Sequence, residues 1–146
     1  MMNQADQANG ISQKMDKANI LISGPTIARD EFLLKELRNI ATVTRNADNS
    51  CVPSVLEQKP FDLLLLEVPV RNRDEIEMIR EIKHGNPRLE IILIDGSGDS
   101  ERVAQAFAYG IRDAFRAPYK WELIVERVEA LLRRHGEIET AEKKQK

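Results

Sequence analysis

Two carboxylates, Glu67 and Asp95, each follow a short and strongly apolar run, LLLL in one case and IILI in the other. Such runs are typical of strands buried on both faces, and the carboxyl ends of these strands form the crevice of an open α/β sheet. Two carboxylates that meet there could share a proton, bind a cation or lie apart in water. We expect separation in water, because a site with only two carboxylates would hold a cation weakly.

The other groups that could do chemistry give weaker signals. The turn GPT at residues 24–26 opens a predicted helix and could bind an anion, but it has one glycine and its proline lacks an amide donor. His84 and His135 lie near predicted helix C-termini, where a positive charge is favourable, and neither has a predicted nucleophile beside it. Cys51 has no strongly basic surroundings that would activate its thiol. None of these residues predicts a catalytic centre.

Composition limits the classes of function. The 146 residues are 42% hydrophobic and 32% charged, with a net charge of −2 and one cysteine. This chain has room for one domain with a core, and it lacks the basic charge typical of nucleic-acid binding. With no apolar signal core, no membrane-length apolar segment and no cysteine pair, we expect a cytoplasmic protein that binds neither nucleic acid nor membrane.

Strand-like and helix-like segments alternate along the chain. Short runs, apolar in some cases and β-branched in others, predict strands at residues 19–23, 41–45, 62–66, 90–94 and 113–116. Apolar residues at helical spacing predict helices over residues 27–39, 53–58, 74–85 and 100–110, and a last helix that ends near residue 134. Thr26 is the predicted N-cap of the first helix, and Asp99 or Ser100 that of the fourth. The predicted inner face of the fourth helix consists of Val103, Ala106 and Phe107.

This alternation predicts parallel βαβ crossovers and a doubly wound α/β fold, a three-layer α/β/α sandwich around a five-stranded parallel sheet. Residues 18–135 form the predicted domain. Residues 1–17 are polar and without periodicity, so we expect a flexible lead, and residues 136–146 are a predicted charged tail.

Over residues 18–135 the chain resembles the response-regulator receiver domain, a resemblance carried by the element order and by the pattern G-x-x-D-x-x-x-x-P at Gly110, Asp113 and Pro118. It implies a CheY-like, flavodoxin-like fold with strand order 2-1-3-4-5 and a place in two-component signal transduction. In that family, two acids after the first strand and a phosphorylated aspartate after the third hold Mg²⁺. A hydroxyl and a lysine then bind the phosphoryl group.

At each of those positions this chain differs from the family. The resemblance places a residue without a carboxylate at both acid positions, a longer acid at the phosphoacceptor, an acid at the hydroxyl, and alanine at the lysine and at the switch aromatic. In the same order, these residues are Gly24 and Pro25, Glu67, Asp95, Ala117 and Ala114. We therefore predict a pseudo-receiver that is not an enzyme, holds no metal or cofactor and is not switched by aspartyl phosphorylation.

Three interpretations of Glu67 stay open. Its charge could imitate a phosphorylated aspartate, although glutamate carries less charge than a phosphoryl group and the usual lysine and hydroxyl are missing. It could be a residual phosphoacceptor. The interpretation that we favour is a partly solvated carboxylate paired with Arg71 or Arg73.

A surface for protein partners is the remaining candidate site. The receiver resemblance implies docking or homodimerisation through the fourth helix, fifth strand and fifth helix, where the candidate anchors are Tyr109, Phe115, Tyr119 and Trp121. Two other functions compete with a pseudo-receiver. One is a phosphorylatable single-domain receiver with unusual chemistry, and the other is a small flavodoxin-like ligand-binding protein or enzyme that uses the crevice of Gly24, Glu67 and Asp95.

Overall fold

The computed structural model describes residues 18–69 and 74–144. Strands and helices alternate from the first described residues to the last. The strands are β1 Asn19–Ser23, β2 Thr42–Asn46, β3 Leu63–Val68, β4 Glu90–Asp95 and β5 Asp113–Arg116. The α-helices are α1 Glu31–Arg38, α2 Val52–Gln58, α3 Asp74–Gly85, α4 Ser100–Ala108 and α5 Trp121–Lys144. Short 3₁₀ turns, Ile27–Arg29 and Asn49–Cys51, precede α1 and α2.

The five strands form one parallel sheet in the order β2-β1-β3-β4-β5, which confirms the predicted doubly wound fold. β3 lies at the centre, so that Leu65 pairs with Ile22 of β1 and with Ile92 of β4. Among the described residues, no helix is both long enough and apolar enough to cross a bilayer.

The four leucines of β3 build both cores of the molecule, and each is completely buried. Leu63 and Leu65 pack on the side covered by α1 and α5. Leu64 and Leu66 pack on the opposite side, covered by α2, α3 and α4. A strand buried on both faces needs apolar residues at every position, which explains the unbroken leucine run.

The start of the first helix differs from the prediction. Instead of one helix over residues 27–39, the chain makes the 3₁₀ turn Ile27–Arg29 and then begins α1 at Glu31. Asp30 separates the two, because its backbone is extended and its carboxylate accepts a hydrogen bond from the Leu33 amide. The Thr26 side chain makes no capping bond, so the prediction of Thr26 as N-cap was wrong.

In α4 one part of the prediction is confirmed and another was wrong. Asp99 is the N-cap, since its carboxylate accepts bonds from the amides of Glu101 and Arg102. Phe107 is not on the inner face; it is 45% exposed, whereas Ala106 is fully buried. One residue turns a helix by about 100°, and this turn takes Phe107 past the edge of the narrow buried stripe.

The last helix is longer than predicted. α5 continues from Trp121 to Lys144, so its predicted end near residue 134 was wrong and most of the predicted tail is helical. The segment EIETAEKK consists mainly of good helix formers and has no proline, and Gly136 alone does not stop it. His135 therefore lies within the helix rather than near its end, with its Nε2 3.2 Å from Oδ1 of Asp62. The predicted lead, residues 1–17, lies outside the described residues.

Candidate functional site

The carboxyl ends of β1, β3 and β4 meet at one edge of the sheet, as parallel strands require. This edge brings Gly24, Glu67 and Asp95 close to one another, together with Tyr119 from the loop after β5. The residues of the predicted crevice therefore lie together in the fold, and side chains of the protein itself occupy the crevice.

Glu67 binds backbone amides of the loop after β1. Its Oε1 accepts hydrogen bonds from the amides of Thr26 and Ile27, at 2.8 and 3.1 Å. These amides open the 3₁₀ turn, where free N–H groups attract a negative charge. The side chain is half-buried rather than fully solvated. Its predicted ion-pair partners, Arg71 and Arg73, lie outside the described residues.

Gly24 leaves the space that this arrangement needs. Its φ is +148°, and a Cβ added to it would stand 2.4 Å from both Cβ and Oε1 of Glu67. Any residue with a side chain would therefore collide with Glu67 in its present conformation, and its backbone would be strained as well. A carboxylate at residue 24 and the observed position of Glu67 exclude each other.

Asp95 is buried, so the expectation that both carboxylates lie in water was wrong for this one. Its side chain is 1% exposed, and Oδ1 accepts bonds from the amide and hydroxyl of Ser97. Oδ2 lies 3.3 Å from Nε of Arg116 and makes no hydrogen bond within the described structure, so this contact is an ion pair with poor hydrogen-bond geometry. The arginine charge compensates the buried carboxylate.

The role of Arg116 was not predicted, although the sequence carries a signal for it. Arg116 ends the predicted fifth strand, and Asp95 ends the neighbouring strand of the receiver-like order. The two residues are register partners in the β4–β5 ladder. A base and an acid at the ends of adjacent strands predict an ion pair once the strand order is known.

Tyr119 covers the same edge of the sheet. Its hydroxyl oxygen lies 3.9 Å from the point where a Cβ of Gly96 would stand, and its ring stacks on Trp121 with 5.2 Å between the ring centroids. Burial raises the pKa of the Tyr119 hydroxyl, and the negative charges of Glu67 and Asp95 raise it further. The hydroxyl therefore stays protonated in ordinary buffers and is a neutral group within the electrostatic influence of two acids.

A hydrogen-bond network fills the edge on the β1–β2 side. Asn49 accepts a bond from the Ser23 hydroxyl at 2.7 Å and donates to the Glu67 carbonyl at 2.8 Å and to Oε1 of Glu75 at 3.2 Å. Asn46 in turn donates to Ser23. Asn49 and Glu75 are both buried, and the polar turn around Asn49 gave no sequence signal for this role. The network joins three strands and α3.

The remaining family positions carry no functional group. Pro25 and Ala117 are exposed, and Ala114 is half-buried on the side of the sheet covered by α3 and α4. No group of three or more His, Cys, Asp or Glu side chains in the described parts of the chain is arranged to hold a metal ion. The residues present thus do not fit the Mg²⁺ that receiver chemistry needs.

The four candidate anchors are all half-buried and lie on two sides of the sheet. Phe115, Tyr119 and Trp121 pack against the core under α1 and α5, whereas Tyr109 packs against the core under α3 and α4. The Tyr109 hydroxyl accepts a bond from Gln105 at 2.9 Å. Large apolar side chains that are exposed include Phe107 on α4 and Leu123 on α5, at 45% and 50%.

The curated relatives of the chain include regulatory proteins and a response regulator, RR06 of Streptococcus pneumoniae. The chain is 28% identical over 81 residues to the regulatory protein VanRB of Enterococcus faecalis, a match that covers 56% of this chain and 36% of that protein. It is 26% identical over 116 residues to the probable transcriptional regulatory protein SilR of Salmonella typhimurium, covering 79% and 51%. The matches span about half the length of these relatives or less. No protein-family model matches the chain.

Solved structures share the fold. A CheY-like receiver domain protein of Methanospirillum hungatei superposes with a TM-score of 0.73 at 16% identity, over 82% of this chain and 97% of that one. The orphan response regulator HP1043 of H. pylori superposes with a TM-score of 0.71 at 17% identity, over 80% and 98%. The chain thus has the CheY-like fold of receiver domains, and the curated sequences similar to it are named as regulatory proteins or response regulators.

Proposed function

We propose that the protein is a receiver-type module of two-component signalling that recognises protein partners and is not switched by aspartyl phosphorylation. The observation that carries this proposal is the position of the Glu67 carboxylate, which binds the amides of Thr26 and Ile27. The cleft that would take a metal and a phosphoryl group is occupied by the chain's own acid.

The charges around the cleft oppose phosphoryl transfer. Transfer to a carboxylate needs a metal or cationic groups to neutralise the phosphoryl oxygens. Here the incoming group would meet the carboxylates of Glu67 and Asp95, and the cation nearest to Asp95, Arg116, is already paired with it. Gly24 cannot take a metal-binding side chain while Glu67 keeps its place.

The hydrogen bonds of Glu67 also favour a fixed state of the domain over the interpretation that Glu67 imitates a phosphoryl group. A phosphoryl group in a receiver acts on the hydroxyl after the fourth strand and the lysine after the fifth, whereas Oε1 of Glu67 binds the loop after β1. The acid therefore ties β3 to β1 and leaves the β4–β5 side to the separate pair of Asp95 and Arg116.

The partner surface that we propose is the α4–β5–α5 face, made of Ser100, Phe107, Arg116, Leu123 and Arg127. Ser100 contacts Arg116 at the end of β5, and Phe107 lies two helical turns further along α4, on the same side. Arg127 pairs with Asp113 at the start of β5, and Leu123 lies one turn before it. A protein partner or a second copy of the chain would cover the two apolar anchors.

Intact-protein mass after incubation with acetyl phosphate and Mg²⁺ tests this function. We expect no added phosphoryl group on the wild-type chain. The variant Glu67→Asp, whose shorter side chain cannot reach the same amides, is the matched control, and we expect no added phosphoryl group on it either, because the partner acids are still missing. A phosphoryl adduct on the wild-type protein, removed by hydroxylamine, would overturn the proposal in favour of a phosphorylatable receiver.

A further inference from the structure

We propose that Arg116 is a positioning residue that fastens the start of α4 to the ends of β4 and β5, and thereby holds the α4–β5–α5 face in one arrangement. The inference rests on the proposed function, since it concerns the surface offered to partners. It uses contacts that the Glu67 cleft does not share.

One guanidinium joins three elements. Nε of Arg116, at the end of β5, lies 3.3 Å from Oδ2 of Asp95, at the end of β4. Its Nη2 donates a hydrogen bond of 3.1 Å to the hydroxyl of Ser100, the first residue of α4. The planar fork of arginine can make both contacts at once, which a lysine ammonium at the end of a flexible stem does less well.

Burial makes the contact with Asp95 more than a surface ion pair. The Asp95 side chain is 1% exposed and that of Arg116 is 47% exposed, so an acid inside the protein is neutralised by a base at its surface. Removing one partner of such a pair leaves a buried charge without compensation, which is strongly destabilising. Arg116 is therefore held at this point of the surface by an acid that cannot move into water.

The loop between β4 and α4 is built on the same carboxylate. Oδ1 of Asp95 accepts bonds from the amide and hydroxyl of Ser97, whose hydroxyl accepts a bond from the Asp99 amide at 3.1 Å. Asp99 then caps α4. Asp95 is thus connected to the first turn of α4 by two routes. The first runs along the loop through Ser97, and the second runs across the end of β5 through Arg116.

This second route lies where the receiver resemblance places the residues that respond to phosphate. The chain has Asp95 in place of the hydroxyl, Ala117 in place of the lysine and Ala114 in place of the switch aromatic. With those groups absent, the Asp95–Arg116–Ser100 contact sets the position of α4 relative to β5 permanently. The exposed Phe107 on α4 keeps its place beside β5 as a result.

Amide hydrogen exchange of α4, measured by NMR on the full chain, tests the proposal. In Arg116→Met we expect exchange in the first turn of α4 to speed up by about tenfold or more beyond any general rise that the amides of α1 share. In the double variant Asp95→Asn, Arg116→Met, which removes the buried charge as well, we expect a large part of the protection to return.

The matched control is Arg112→Met. Arg112 also pairs with an acid of β4, with its Nε 2.9 Å from Oε2 of Glu90, but at the opposite end of that strand from α4. We expect this variant to leave the first turn of α4 unchanged. The proposal is wrong if Arg116→Met folds and the amides in the first turn of α4 exchange at the same rate as in the wild-type protein or in Arg112→Met.

If Arg116→Met does not fold, Arg116→Lys gives the same test, with a smaller rise expected in the same amides and none elsewhere. An unchanged rate there would also overturn the proposal. The phosphodonor experiment on wild-type protein is independent of these rates. A phosphoryl adduct would contradict the proposed function, while the exchange rates would still test the role of Arg116 in positioning α4.

Discussion

At the scale of single residues, Gly24 and Glu67 depend on each other. We expect Gly24→Ala to lower the free energy of unfolding by about 2–4 kcal/mol, because it adds backbone strain at φ +148° and a Cβ that overlaps Glu67. Urea unfolding of both proteins measures the difference.

Gly98→Ala is the control for this substitution, because Gly98 has φ +69° but open space around its Cβ position, so only the backbone strain is added. In a Glu67→Gly background, the cost of Gly24→Ala should fall by about 1 kcal/mol or more, since both overlapping atoms of Glu67, Cβ and Oε1, are removed. An equal cost in both backgrounds would show that the two residues are independent.

Tyr119 gives a prediction about pH. Burial, and then the charges of Glu67 and Asp95, raise the pKa of its hydroxyl above the ordinary value of about 10. The protonated phenol therefore favours the folded state, and this contribution is complete below pH about 10 and is lost as pH rises through the folded-state pKa. Tyr119→Phe should lose less stability than wild type across that range.

Phenolate absorbance during an alkaline titration measures the same effect directly, since the chain has two tyrosines. Tyr119→Phe should remove the late phenol ionisation, and Glu67→Gln should move it to lower pH. Emission of Trp121, which stacks on Tyr119, should change over the same pH range. Persistence of the late ionisation in Tyr119→Phe would contradict the assignment.

At the scale of elements, β3 carries both cores, and the two faces of the strand should be equally sensitive. Leu64→Ala and Leu65→Ala each delete a fully buried side chain, one in each core, and we expect each to cost about 2–5 kcal/mol of unfolding free energy. Leu123→Ala, at a position that is 50% exposed, should change it by about 0.5 kcal/mol or less. A negligible cost for either β3 variant would contradict the two-core arrangement.

The strands were predictable from the sequence within about two residues. For β1, β3 and β4 the reason is that burial demands nearly continuous apolar runs, such as LLLL in β3. Helix ends were less predictable. The start of α1 depends on whether Thr26 or Asp30 caps it, and both residue types are suitable. The end of α5 has no proline and a single glycine to mark it, so the charged composition that suggested a tail is equally that of an exposed helix.

At the scale of the whole molecule, the α4–β5–α5 face gives a prediction about partners. Phe107→Ser together with Leu123→Ser should weaken self-association or partner binding by about tenfold or more, because apolar anchors carry most of the energy of an interface. Sedimentation and pull-down experiments measure this. Phe32→Ser is the matched control, since Phe32 is also 45% exposed but lies on α1. Equal losses in the control, or none in the double variant, would rule out this face.

The differences from the receiver pattern are visible in the sequence, but the contacts made at those positions are not. Missing acids at Gly24 and Pro25 are visible residue by residue once the fold is known. The contacts of Glu67 with Thr26 and Ile27 join residues about 40 positions apart, and those of Asn49 with Ser23 and Glu75 span 26. Such contacts follow from the packing of strand ends and have no local pattern in the sequence.

The most direct test of the central claim, that Glu67 closes the cleft, is the amide spectrum of the wild-type protein with and without beryllofluoride and Mg²⁺. We expect the amide signals of Thr26 and Ile27 to stay unchanged, and those of α4 and β5 with them. In Glu67→Ala the two loop amides should shift even without additives, since they lose their acceptor. Saturable shifts at Thr26, Ile27 and α4 in the wild-type protein on adding beryllofluoride and Mg²⁺ would contradict the claim.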